Sequence, residues 1–200
     1  VDRRFFLLGA PLALGACAAE PVWAPDDLVQ RNIYRHPGPN MLTLFTVLNV
    51  GSDNGAHSGL MVSGSQRVIF DPAGTFKHPT IPERNDVIFG ATPGLVDLYI
   101  DYHTRETYYT VEQRKEVSPE VAQMALSAVQ SYGAVSKAQC SKSISEILRG
   151  LPGFETVRNT WFPDNLRASF AALSDVQTFE YRDSDSDNNA GVLLRLDTAQ

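Results

Sequence analysis

Cysteine is scarce in this sequence: two in 200 residues, Cys17 and Cys140. No disulfide framework can be built from that, and none is needed, because a chain of this length buries a sufficient core unaided. Positive charge is also in the minority. Lys and Arg number 17 against 23 acidic residues, giving a net charge of −6 with no basic run to offset it, which argues against a nucleic-acid partner. Internal repeats and low-complexity segments are absent. What remains is 43% hydrophobic and 20% charged, an ordinary globular composition with one domain as the default.

The first sixteen residues read as a leader rather than as part of the fold. Arg3-Arg4 form a positive start, and Phe5 to Leu14 an apolar run broken by Gly9 and Pro11, too short to span a bilayer as a lasting anchor. Leu14-Gly15-Ala16-Cys17 resembles a bacterial lipobox, and Arg3-Arg4-Phe5-Phe6-Leu7 resembles a twin-arginine export signal without its usual flanking residues. The expectation is a signal peptide over 1–16, lipidation of Cys17 and stable membrane anchoring through more than one acyl chain. Ala18 rather than Asp follows the lipid site, which favours the outer membrane over the inner. With Cys17 acylated, Cys140 is a lone thiol in an oxidising compartment and worth flagging as reactive.

Residues 17–40, rich in Pro, Asp and Ala, read as a tether with a short helix near Asp26 to Asn32 and with Trp23 packing back. From Met41 the pattern alternates. Leu42 to Val50, Ala56 to Val62 and Arg67 to Asp71 predict three antiparallel strands separated by Gly51–Gly55 and Ser63-Gly64-Ser65. Thr75 to Asn85 reads as a loop. Val87 to Phe89 and Val96 to Tyr102 read as short strands, the second equally compatible with a helix start, and Glu106 to Val117 as a further strand.

Ser118-Pro119-Glu120 opens a helix with an N-cap hydroxyl, a first-turn proline and an acid. Ile144, Ile147, Leu148 and Leu151 recur at helical spacing after Cys140, with Gly150 where a stop is expected. A third helix follows Phe162-Pro163-Asp164, Val176 to Tyr181 returns as an edge strand, and 183–200 is an acidic loop and tail. The layout is α+β, with its domain over 41–182.

The chemistry rests on three residues. Cys140 sits in a first helical turn, where unsatisfied N–H groups and the helix dipole favour a thiolate; the alternative is an inert cysteine packed as a small hydrophobe. A thiol hydrolase also needs a base and a group that orients it. Among four histidines, His57 opens a strand beside a Gly-rich turn, while His36, His78 and His103 lie in the tether, in a Pro-flanked loop and beside a turn. Asp71 ends the next strand, where antiparallel pairing brings it near His57; an Asp before Pro72 is equally a turn former. Tyr99, Tyr102, Tyr108 and Tyr109 read as sheet packing. The acidic run from Asp183 lacks the spacing of a calcium loop, so neither metal nor cofactor is expected.

His57-Ser58-Gly59-Leu60, then Asp71, then the distant Gln139-Cys140-Ser141 resemble the papain-like NlpC-type cysteine peptidase superfamily in its circularly permuted form, with the histidine strand before the cysteine helix. Gln139 stands where that family more often has Asn, and Tyr132 also fits. The resemblance covers about 41–173 and implies a papain-like fold. It implies a catalytic set of Cys140 as nucleophile, His57 as base and then acid, and Asp71 as the third polar residue, with helix-start N–H groups as oxyanion hole. It points to an envelope amidase or peptidase, with peptidoglycan peptides as the available amides. Two alternatives remain: a lipid acyltransferase using the same pair, and a non-enzymatic envelope lipoprotein that binds in the cleft.

Overall fold

The computed structural model describes residue 19 and residues 21–198; the expected leader 1–16 and the expected lipid site Cys17 lie outside them. Seven strands form one antiparallel sheet: β1 (Met41–Asn49), β2 (Gly55–Ser63), β3 (Arg67–Phe70), β4 (Glu83–Arg84), β5 (Val87–Phe89), β6 (Tyr108–Glu116) and β7 (Gln177–Tyr181), in the spatial order β4-β5-β3-β2-β1-β6-β7. Six helices accompany it: α1 (Asp26–Arg31), α2 (Pro93–His103), α3 (Pro119–Tyr132), α4 (Cys140–Arg149), α5 (Pro163–Ala171) and α6 (Ala190–Thr198). The class is α+β. No helix among the described residues is long and apolar enough to cross a membrane.

The first three strands form the expected meander, with Leu44 opposite Leu60 and Leu60 opposite Phe70. Because side chains alternate along a strand, β2 sends Leu60 and Val62 to one face and His57, Gly59 and Met61 to the other. On the first face Leu42, Leu44, Leu60 and Val62 pack with Leu126, Ile144, Leu148, Leu166 and Phe170, so α3, α4 and α5 cover it. On the second, Phe45, Met61 and Ile69 pack with Val96, Tyr99 and Ile100 of α2 and Val192 of α6. Full burial of an aliphatic side chain such as Leu148 contributes about 1.5–3 kcal/mol.

Of the two readings open for Val96 to Tyr102, the structure takes the helix. Its alternating apolar residues mimic a strand, but Thr92 accepts a hydrogen bond from the Leu95 N–H and Pro93 occupies the first turn, an N-terminal signature that outweighs the pattern. The segments read as tether and tail are also packed. Ala24 and Val29 enter the core, the Ala24 N–H donates to Glu83 O, and Arg84 stacks on Trp23 at 4.5 Å. Near the C-terminus Thr107 binds Asp187, Asn189 binds Tyr102 O, and part of the stretch read as loop and tail forms α6.

Candidate active site

Cys140 is the first residue of α4, whose strongly two-sided sequence buries Ile144, Ile147 and Leu148. The serines between them find partners inside the protein: Ser143 donates to Cys140 O, and Ser145 donates to Lys142 O while accepting from the Thr160 N–H. No side chain caps the helix, and its first hydrogen-bonded N–H is that of Ser143, donating to Gln139 O. The N–H groups of Cys140, Ser141 and Lys142 therefore have no intrahelical partner.

The helix covers one face of the sheet and His57 points to the other, so they meet where the sheet opens. Pairing of β2 with β3 stops at Leu60–Phe70. Beside residues 57–59 the start of α4 takes the place of a strand: the Ser58 N–H is directed at the Cys140 sulfur, and the Ser58 and Ser141 hydroxyls lie 3.1 Å apart. Asp71 is the first residue past β3. Its Oδ1 accepts from His57 Nε2 at 2.7 Å and from the Tyr99 hydroxyl at 2.7 Å. With Nε2 committed to Asp71, Nδ1 is the imidazole nitrogen left for the thiol.

Gly59 makes this possible. A Cβ at Gly59 would stand 2.3 Å from the Tyr99 hydroxyl, so only glycine lets that hydroxyl cross the strand to Asp71. Gly74 plays the same part on the far side, where a Cβ would fall 1.7 Å from Asp71 Oδ2.

Burial opposes charge on the His57 ring, but Asp71 beside it, through charge and hydrogen bond, together with Cys140, raises its pKa to about 10. Burial likewise pushes the Cys140 thiol up; the hydrogen bond and charge of His57, then the Ser58 N–H and Ser141 hydroxyl, outweigh it and hold the thiol below its ordinary value. Asp71 is held low despite its burial by His57, His103 and Tyr99. The arrangement favours a thiolate facing an imidazolium, backed by a carboxylate.

Two residues beside the cluster escaped the sequence reading. Tyr99 is a hydrogen-bond donor to Asp71 rather than sheet packing. His103 stacks on His57 with ring centroids 5.6 Å apart and planes 12° from parallel. Burial first, and His57 among other causes, brings its pKa down to about 4, so it stands neutral with Nδ1 bonded to Tyr99 O at 2.8 Å. The signal was Thr92-Pro93: once a helix starts there, Tyr99 and His103 share a face at i, i+4. His36 and His78 lie elsewhere; His78 Nδ1 bonds the Thr80 hydroxyl at 2.8 Å.

His57, Asp71 and His103 bring ligand atoms within 4.8 Å of one another. A metal there would have to break the His57–Asp71 bond. A second acidic group, Asp101, Asp183 and Asp185, is engaged by cations: Arg105 reaches Asp101 at 2.8 Å and Asp185 at 3.4 Å, and Arg195 also pairs with Asp101. Compared with known protein families, curated proteins and solved structures, the chain matches none of them.

Proposed function

We propose that this protein is a thiol hydrolase of papain-like design in permuted order, cleaving an amide through Cys140, His57 and Asp71. The observation that carries this reading is the 2.7 Å bond from His57 Nε2 to a buried Asp71, which orients the ring beside a thiol at a helix start whose pKa His57 lowers. In the reaction the Cys140 thiolate attacks the carbonyl carbon, and the N–H groups at the start of α4 receive the developing oxyanion. His57 gives its proton to the leaving amine and a thioester remains. Water then loses a proton to His57 and attacks the thioester, restoring the thiol and releasing the acid. Tyr99 and His103 hold Asp71 and the imidazole in place.

The lipobox-like stretch ending at Cys17 supports a place in the bacterial envelope, outer membrane over inner, and peptidoglycan peptides are the amides available there. A second reading, acyl transfer between lipids, draws support from Trp161 and Phe162, both more than half exposed and tied to the cysteine helix through the Asn159–Lys142 and Thr160–Ser145 bonds. Purified chain incubated with peptidoglycan peptides should release new amines, and Cys140→Ala should release none. Acyl exchange between detergent-dispersed lipids without amine release would favour the second reading. Neither product, with native and Cys140→Ala chains alike, would leave only a binding role.

A further inference from the structure

Asp86 lies outside the Cys140–His57–Asp71 cluster, yet it holds the chain beside both Asp71 and Cys140. Glu83 pairs with Ile88 and Arg84 with Val87, so Asn85 and Asp86 alone turn β4 into β5. Both have positive φ, 45° and 67°, the geometry of the tight hairpin turn whose second position glycine fits best. Aspartate there is strained, and strain of this kind persists where the surroundings hold it. The residue is only 5% exposed. What glycine could not supply is the carboxylate.

The main chain of Asp86 serves one side of the cluster. Its carbonyl accepts from the Asp71 N–H at 2.8 Å, which fixes the end of β3. The side chain serves the other. Its Oδ2 accepts from the Val135 N–H at 2.7 Å, and Val135 is a buried residue five positions before Cys140. Among the described residues no other hydrogen bond joins 134–138 to the sheet or its turns. The Ala73 N–H is also directed at this carboxylate. Ala73 and Ala138 themselves have positive φ, 57° and 64°, which alanine rarely adopts unrestrained. One lies two residues past Asp71, the other two residues before Cys140. Burial raises the Asp86 pKa, and the Val135 and Ala73 N–H groups act against that rise.

We infer that Asp86 is a positioning residue: one buried carboxylate that clamps the loop before Cys140 against the turn behind Asp71 and so holds the thiol beside His57. This role rests on the Cys140–His57 pairing proposed above. The clamp is anchored to the strand that Asp71 ends, because β5 pairs with β3 through Val87 and Phe70. It also accounts for a strained aspartate standing where glycine would fit the backbone better.

Asp86→Gly tests this, because it removes the carboxylate while relieving the turn, and it should still melt cooperatively. Alkylation of Cys140 by iodoacetamide, followed from pH 5 to pH 10, gives the thiol midpoint in each full chain. In Asp86→Gly that midpoint should move up by about half to one pH unit, the worth of one hydrogen bond. His57 should still titrate well above its ordinary 6.5 by NMR, since the bond from the Asp71 N–H to the Asp86 carbonyl is unchanged. Asp86→Asn keeps an acceptor for Val135 and should lie nearer the native profile than Asp86→Gly does. A lowered native midpoint that Asp86→Gly leaves in place, even beside a lower melting temperature, would make Asp86 a fold residue only and overturn the inference. So would an Asp86→Asn midpoint no nearer the native one. An ordinary native midpoint near 8.5 would instead remove the Cys140–His57 pairing itself, and this role with it.

Discussion

Replacing Asp71 by Asn removes a charge and preserves a shape. An asparagine Oδ1 still accepts from the Tyr99 hydroxyl and from His57 Nε2, both 2.7 Å away in the native site, because a carbonyl oxygen has two lone pairs. What disappears is the negative charge facing the imidazolium. At an effective dielectric constant of about 20 and a charge separation of about 4 Å, that attraction is roughly 4 kcal/mol, or about three pKa units, an upper bound. A lower bound is the difference between a charge-assisted and a neutral hydrogen bond, about 1 kcal/mol or nearly one unit. His57, held at about 10 in the native site, should therefore titrate between about 7 and 9 in Asp71→Asn. NMR titration of the His57 ring protons reads this directly. Linkage gives a second readout. The folded value lies above the unfolded 6.5, so this contribution to stability is complete below pH 6.5 and fades as pH rises through about 10. In the variant the fading should finish at lower pH. A folded Asp71→Asn whose His57 midpoint stays within about half a unit of the native one would refute the claim that Asp71 sets this charge.

Tyr99→Phe removes the second donor to Asp71 and should cost about 1.5–3 kcal/mol, the worth of a hydrogen bond to a charged group. Since Asp71 is held below 3.8, its contribution is present above that value and lost as pH falls through the folded one; losing a donor raises the folded value, so urea titrations carried from pH 5 down to pH 2 should show a smaller acid loss in the variant, ending at higher pH. Gly59→Ala puts a methyl 2.3 Å from the Tyr99 hydroxyl; overpacking of about 1–3 kcal/mol and slower Cys140 alkylation are expected, whereas native stability and rate would remove the reason given for this glycine. Ser118→Ala deletes the hydroxyl that accepts from the Val121 N–H at the start of α3 and should cost about 1 kcal/mol in a thermal melt while leaving Cys140 reactivity unchanged.

The elements that sequence made legible are those in which local signals agree. The β1–β2–β3 meander carries period-two alternation between turn clusters, and Ser118-Pro119 marks α3 without ambiguity. The start of α4 at Cys140 followed from the spacing of Ile144, Ile147 and Leu148, and the contact of His57 with Asp71 from the short hairpin between β2 and β3. The helix α2 was ambiguous because Val96, Leu98, Ile100 and Tyr102 alternate as a strand would; the decisive signal was its cap, four residues upstream of Val96. Tyr99 and His103 were missed for that reason, and because their approach to Asp71 and His57 is tertiary. The approach of Cys140 to His57 across 83 residues of chain has no local signature; it came from a resemblance of short motifs.

Iodoacetamide alkylation of Cys140 as a function of pH, read at the Cys140 peptide by mass spectrometry, tests the paired thiol most directly when run beside His57→Ala. The account predicts a rate that stays high well below pH 8 and drops when His57 is removed. A rate that follows an ordinary thiol with a midpoint near 8.5, and that does not respond to losing His57, would contradict it.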